Sequence, residues 1–91
     1  MQQQEKLMES MRQVDFSDLS FPLIVVYRKP KDYPDAYVAR VWEGARNLPT
    51  NTLIKRETLQ EIRKDLRAAG FTTRLTPAAG EDPVIVETWL R

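Results

Sequence analysis

The chain has 91 residues, 42% of them hydrophobic and 30% charged, with a formal net charge of +1 and neither cysteine nor histidine. That length supports one hydrophobic core, and without thiols or imidazoles the chain can build no disulfide, Cys/His zinc site, thiol nucleophile or Ser-His-Asp triad. No run approaches the ~20 apolar residues of a membrane span and no signal-peptide pattern is present, which predicts a cytoplasmic protein.

Residues 1–20 carry Lys6 and Arg12 against Glu5, Glu9, Asp15 and Asp18, so the positive excess lies in residues 21–91. Leu7, Met8, Met11 and Val14 fall at helical spacing. The stripe is thin, and a lone helix of this length is marginal in water. Residues 1–20 therefore read as an N-terminal arm, helical where it docks, with Phe16, Leu19 and Phe21 as anchors, ahead of a single domain over residues 21–91.

Residues 23–27 are a continuous, β-branched apolar run, the pattern of a strand covered on both faces. A connection over 28–35 follows, kept irregular by Pro30 and Pro34, and residues 37–42 form a second strand. Residues 44–50 read as a loop and 52–55 as a short third strand. Thr58 then opens an amphipathic helix through a capping box with Glu61. Leu59, Ile62, Leu66 and Ala69 form its buried stripe. Gly70 suits the left-handed position after the last turn, with Phe71 packing back on Leu66. Residues 71–76 alternate, 77–83 have the composition of a loop, and 84–90 form a final strand. The predicted class is α+β: a small antiparallel sheet of four to five strands, β-β-(β)-α-β-β, with one helix on one face.

Strand side chains alternate between the faces of a sheet. If charged residues avoid the face under the helix, the outer face collects Arg28, Arg40 and Glu87 with Ile24, Val26, Trp42, Ile85 and Trp89. So much apolar surface needs a cover: the arm, a second copy, or a partner protein. The candidate protein-binding residues are thus Trp42, Trp89, Arg40, Ile24 and Ile85, with the tryptophans as energetic anchors. A second candidate is a basic, aromatic-rich stretch of Arg28, Lys29, Lys31, Tyr33 and Tyr37, the mix that binds single-stranded nucleic acid; Asp32 and Asp35 dilute its charge. On the helix, Arg63, Lys64 and Arg67 alternate with Glu57, Glu61 and Asp65, which reads as a mixed solvent face. Glu81 and Asp82 lack the glycine-spaced ligand set of a cation loop, and Gly44, Gly70 and Gly80 form no phosphate-cradling motif. No catalytic residues, metal or cofactor are expected.

The run from Ile24 to Trp42, containing K-P-K-D-Y-P and Y-V-A-R, together with T-L-Q-E-I-R from Thr58 and D-P-V-I-V-E-T-W from Asp82, resembles a group of small bacterial proteins of unknown function. That likeness covers residues 23–90 and implies a fold without an activity. The helix start Thr58-Leu59-x-Glu61 is also similar to that of HicB-type antitoxins, whose partial ferredoxin-like domain runs β-β-β-α-β. This second likeness implies toxin binding and RNA-related roles; that family's P-D-L-P-G segment has no counterpart here. The functional expectation is a small non-enzymatic module that binds a protein or a second copy of itself through the apolar sheet face. The alternative is a nucleic-acid-binding domain acting through residues 28–31.

Overall fold

The computed structural model describes residues 4–91; the first three residues of the arm lie outside them. The described chain forms β1 (Lys6–Leu7), a 3-10 turn (Met11–Gln13), β2 (Pro22–Arg28), β3 (Tyr37–Glu43), β4 (Leu48–Arg56), α1 (Leu59–Ala68), β5 (Thr73–Leu75) and β6 (Ile85–Leu90). The α+β class is as expected, but the sheet has six strands, in the order β1-β4-β3-β2-β6-β5. It is mixed rather than antiparallel, because β1 runs parallel to β4. The third strand is also longer than the sequence suggests. Pro49 lies inside it, tolerated because β4 is paired with β1 only at Thr52 and Leu53, leaving the proline on an open edge.

β4 and β5 stand at opposite sides of the sheet, so α1, which joins them, must cross one face. Its ends are fixed as the sequence implies. The Thr58 hydroxyl accepts the Glu61 N–H at 3.2 Å and donates to the Glu61 carboxylate at 2.9 Å. At the other end the Phe71 N–H donates to the Leu66 carbonyl and the Gly70 N–H to that of Arg67, both at 3.0 Å, and Gly70 has φ +94°. That is a Schellman ending, with Phe71 buried beside Leu66 in the same core cluster.

Among the described residues the N-terminal segment forms no α-helix, only the single 3-10 turn. Lys6 and Leu7 instead extend the sheet, and Ser10 caps the 3-10 turn by accepting the Arg12 N–H. Asp65 on α1 receives the Ser10 hydroxyl at 2.7 Å and the Met11 N–H at 2.8 Å, with the Arg56 guanidinium at 3.4 Å. These bonds satisfy a backbone donor that a free helix end would leave to water. Met11 (0% exposed) and Phe16 (8%) then join Ile24, Val26, Ala39, Val41, Ile54, Ile62, Leu66, Phe71 and Trp89 in one core. The segment thus roofs the same side of the sheet as α1, beside the helix rather than across from it.

This arrangement corrects the expected assignment of faces. Ile24, Val26 and Trp89 lie in the core under α1, and Glu87 shares their side, since Val26 pairs with Glu87 and Ile24 with Trp89. The expectation that charge avoids the covered face fails at Glu87, which is 3% exposed yet fully partnered. Arg63 donates to its two oxygens at 3.2 and 2.8 Å, and the Trp89 indole N–H at 2.7 Å. Ile85 parts from Glu87 and Trp89 for another reason. Tyr27 pairs with Ile85 while Val26 pairs with Glu87, so Val86 is an extra residue on β6. A one-residue bulge inverts the facing of what precedes it, which leaves Val86 against the core and Ile85 on the opposite side.

Candidate functional site

The face turned away from α1 carries Leu23, Val25 and Tyr27 from β2, Val38, Arg40 and Trp42 from β3, Leu53 from β4, and Ile85 and Thr88 from β6, as the cross-strand pairs require. One end of it is partly closed by the β2–β3 connection. Asp32 lies 3.8 Å from Arg40, the Tyr33 ring is 5.5 Å from the Lys55 ammonium, and Pro30 flanks a shallow groove with Tyr27 and Val38. Val38 and Leu53 are buried there.

The other end is open. A groove of about 270 Å³ has Leu23, Val25, Trp42, Ile85 and Thr88 as its walls, with Asn47 and Glu81 at the rim. Trp42 is half-buried, and its orientation is fixed because its indole N–H donates to the Tyr27 hydroxyl at 3.0 Å. Burial raises the Tyr27 phenol above its ordinary pKa, against the opposing pull of Trp42 and Arg40, so it stays neutral in this pair. Phe21, 51% exposed, extends the apolar strip past Leu23. Both lean over Gly44, where an added Cβ would come within 2.8 Å of the Phe21 ring and backbone and 2.9 Å of Leu23. Glu43 holds this corner by accepting the Ser20 and Phe21 N–H groups at 2.8 and 3.0 Å.

Arg40 lies between the two ends, and its charge is spent within the molecule. It makes a two-pronged contact with Glu5 at 2.8 and 2.7 Å and donates to the Thr50 carbonyl at 2.8 Å. The bond from Arg40 holds the Glu5 carboxyl below its ordinary pKa. Arg40 is therefore a strut that ties the N-terminal segment to β3 and β4. Of the five residues expected to form one protein-binding face, Trp42, Arg40 and Ile85 stand together, and Ile24 and Trp89 are on the covered side. Leu23, Val25 and Tyr27 belong to the open face instead. Alternation alone could not show this, because the two side-chain sets of β2 are almost equally apolar.

The sheet also divides the basic, aromatic-rich stretch. Tyr37 packs against the core on the covered side, with the Arg28 guanidinium 5.9 Å from its ring, while Tyr33 sits on the open side under Lys55. Lys29 and Lys31 are exposed on the β2–β3 connection. Asp82 has a local role: its carboxylate accepts the Val84 N–H at 3.0 Å and shapes the turn into β6. Among the described residues no three His, Cys, Asp or Glu side chains gather as a metal-binding group, and no helix is long and apolar enough to cross a membrane. Comparison with known protein families, with characterised proteins and with solved structures finds no match.

Proposed function

We propose that the chain is a small non-enzymatic module that binds a protein segment in the open groove around Trp42. The carrying observation is that Trp42, a large aromatic held in one orientation by Tyr27, is only partly buried on an apolar wall that α1 does not cover. An apolar floor with Asn47 and Glu81 at the rim has the layout of a protein contact, and oriented aromatics dominate the energetics of such contacts. A groove of about 270 Å³ matches one large apolar side chain of a partner rather than a whole small-molecule substrate.

Selection of binders from a random peptide library against the full chain tests this reading. Enriched peptides are expected to share a large apolar anchor. They should lose at least about 30-fold in affinity, or roughly 2 kcal/mol, against Trp42→Ala. Their binding should change little between low and high salt, as an apolar contact requires. Peptides that bind Trp42→Ala as well as the parent, or the absence of any enriched sequence, contradict the proposal.

A further inference from the structure

The corner formed by α1, β5 and β6, on the other side of the molecule from the Trp42 groove, gathers guanidinium groups faster than it neutralises them. Glu87, Trp89 and Arg91 share one face of the β6 end of the chain, two residues apart. Arg63 sits over Glu87, with its Nη2 at 2.8 Å. One helical turn further on, Arg67 lies 5.5 Å above the Trp89 ring. Arg74, opposite Trp89 in the β5–β6 register, reaches to 4.0 Å from the same Glu87 carboxylate. Arg91 stacks on Phe16 and Phe71 at 4.5 and 5.0 Å. Four arginines thus share this corner with one carboxylate, and of the four only Arg63 hydrogen-bonds to Glu87, with Arg74 at 4.0 Å.

The acids that mix with these cations in the sequence of α1 do not reach this corner. Asp65 is turned to the opposite flank, where Ser10, Met11 and Arg56 occupy it, and Glu61 bonds to Thr58. Lys64 stands with those acids beside Arg12 and Arg56, and is not part of the corner. Asp15 lines the groove that Arg91 borders, so Arg63, Arg67 and Arg74 form the patch proper. Among the described residues Arg67 makes no ion pair. The aromatic rings beneath are closed off, with Trp89 2% and Phe71 0% exposed. The corner therefore offers charge and planar hydrogen-bond forks, with no aromatic surface for a protein hot spot or for stacked bases.

We propose that this arginine corner binds the phosphodiester backbone of a nucleic acid, without base preference. Arginine forks match phosphate geometry and hold it while staying charged. Arg67, over the Trp89 ring, and Arg74, opposite Trp89 in the strand register, stand close enough to take neighbouring phosphates of one strand. Polar, exposed Gln60, three residues before Arg63, and Thr72, two before Arg74, add neutral donors of the kind that contact phosphates.

Fluorescence anisotropy of the full chain with a dye-labelled random-sequence duplex, and with the corresponding single strand, tests the proposal. Binding is expected in the micromolar range at about 50 mM salt. For the duplex, a plot of log affinity against log salt should slope at about −2, as phosphate contacts by Arg67 and Arg74 require, Arg63 being held by Glu87. The double variant Arg67→Gln, Arg74→Gln leaves Arg63 on the buried Glu87, so the fold keeps its buried ion pair. It should weaken binding about tenfold and flatten the slope by about two. A variant of the β2–β3 connection, Lys29→Gln with Lys31→Gln, should bind as the parent does. No binding at low salt overturns the proposal. So does loss of binding in the Lys29, Lys31 variant with none in the arginine variant, and so does equal competition by poly-glutamate of the same charge.

Discussion

At the scale of single residues, Glu87 carries the most consequence. Burial is the strongest influence on its carboxyl and pushes the pKa up. The bonds from Arg63 and Trp89, with the nearby charges of Arg63 and Arg74, outweigh burial and hold it below its ordinary value. A carboxylate depressed in the folded state adds stability that is complete above its ordinary pKa, about 4.3, and is lost as pH falls through the depressed value. Replacing Arg63 by methionine strands that charge in the core, and denaturant unfolding near pH 7 should register a loss of roughly 3–5 kcal/mol. The deficit should shrink below about pH 4, where the parent also loses its ionised pair. A deficit that is constant with pH would mean that the arginine acts by packing alone. Gly70 is the second such position. No atom lies within 4 Å of an added Cβ, so only its φ of +94° opposes substitution, and Gly70→Ala should lower stability by about 1–2 kcal/mol despite alanine's helix propensity. A melting temperature equal to that of the parent would show that the helix end had rearranged.

At the scale of elements, α1 was legible in the sequence because cap, stripe and stop are all local signals, and each occurs in the structure as read. The N-terminal segment was not. Its spacing suits a helix, yet the bonds from Ser10 and Met11 to Asp65 join residues 54 and 55 positions apart, and no local pattern announces them. The faces of β6 were lost to the same kind of distance, since the Val86 bulge and the Arg63–Glu87 pair both depend on neighbours in space. Trp42 and Ile85 were recognisable as apolar residues on strands that also bear charge. Leu23 and Val25 were not, being indistinguishable from Ile24 and Val26 without the fold. The N-terminal segment and the helix should therefore fail alike when cut back. Met11→Ala and Leu66→Ala, both at fully buried sites, are each expected to cost about 2–5 kcal/mol in equilibrium unfolding. A neutral Met11→Ala would detach the segment from the core.

At the scale of the molecule, six strands are covered on one side by α1 and the N-terminal segment, and their other side is closed only in part, by the β2–β3 connection. Two surfaces of opposite character result. The open side offers Trp42 in an apolar groove, and the corner of α1, β5 and β6 offers arginines in excess of their one carboxylate above buried rings. Their responses to salt should differ accordingly, weak at the groove and steep at the corner. The apolar groove and the arginine corner both require the two tryptophans to lie on opposite sides of the sheet, and acrylamide quenching of single-tryptophan variants in dilute solution tests this most directly. With Trp89→Phe, the remaining Trp42 is expected to be quenched readily. With Trp42→Phe, the remaining Trp89, 2% exposed beneath Arg67, is expected to be protected until the protein unfolds. Equal protection of both, or readier quenching of Trp89, would contradict the assignment of faces and remove the groove on which the proposed function rests.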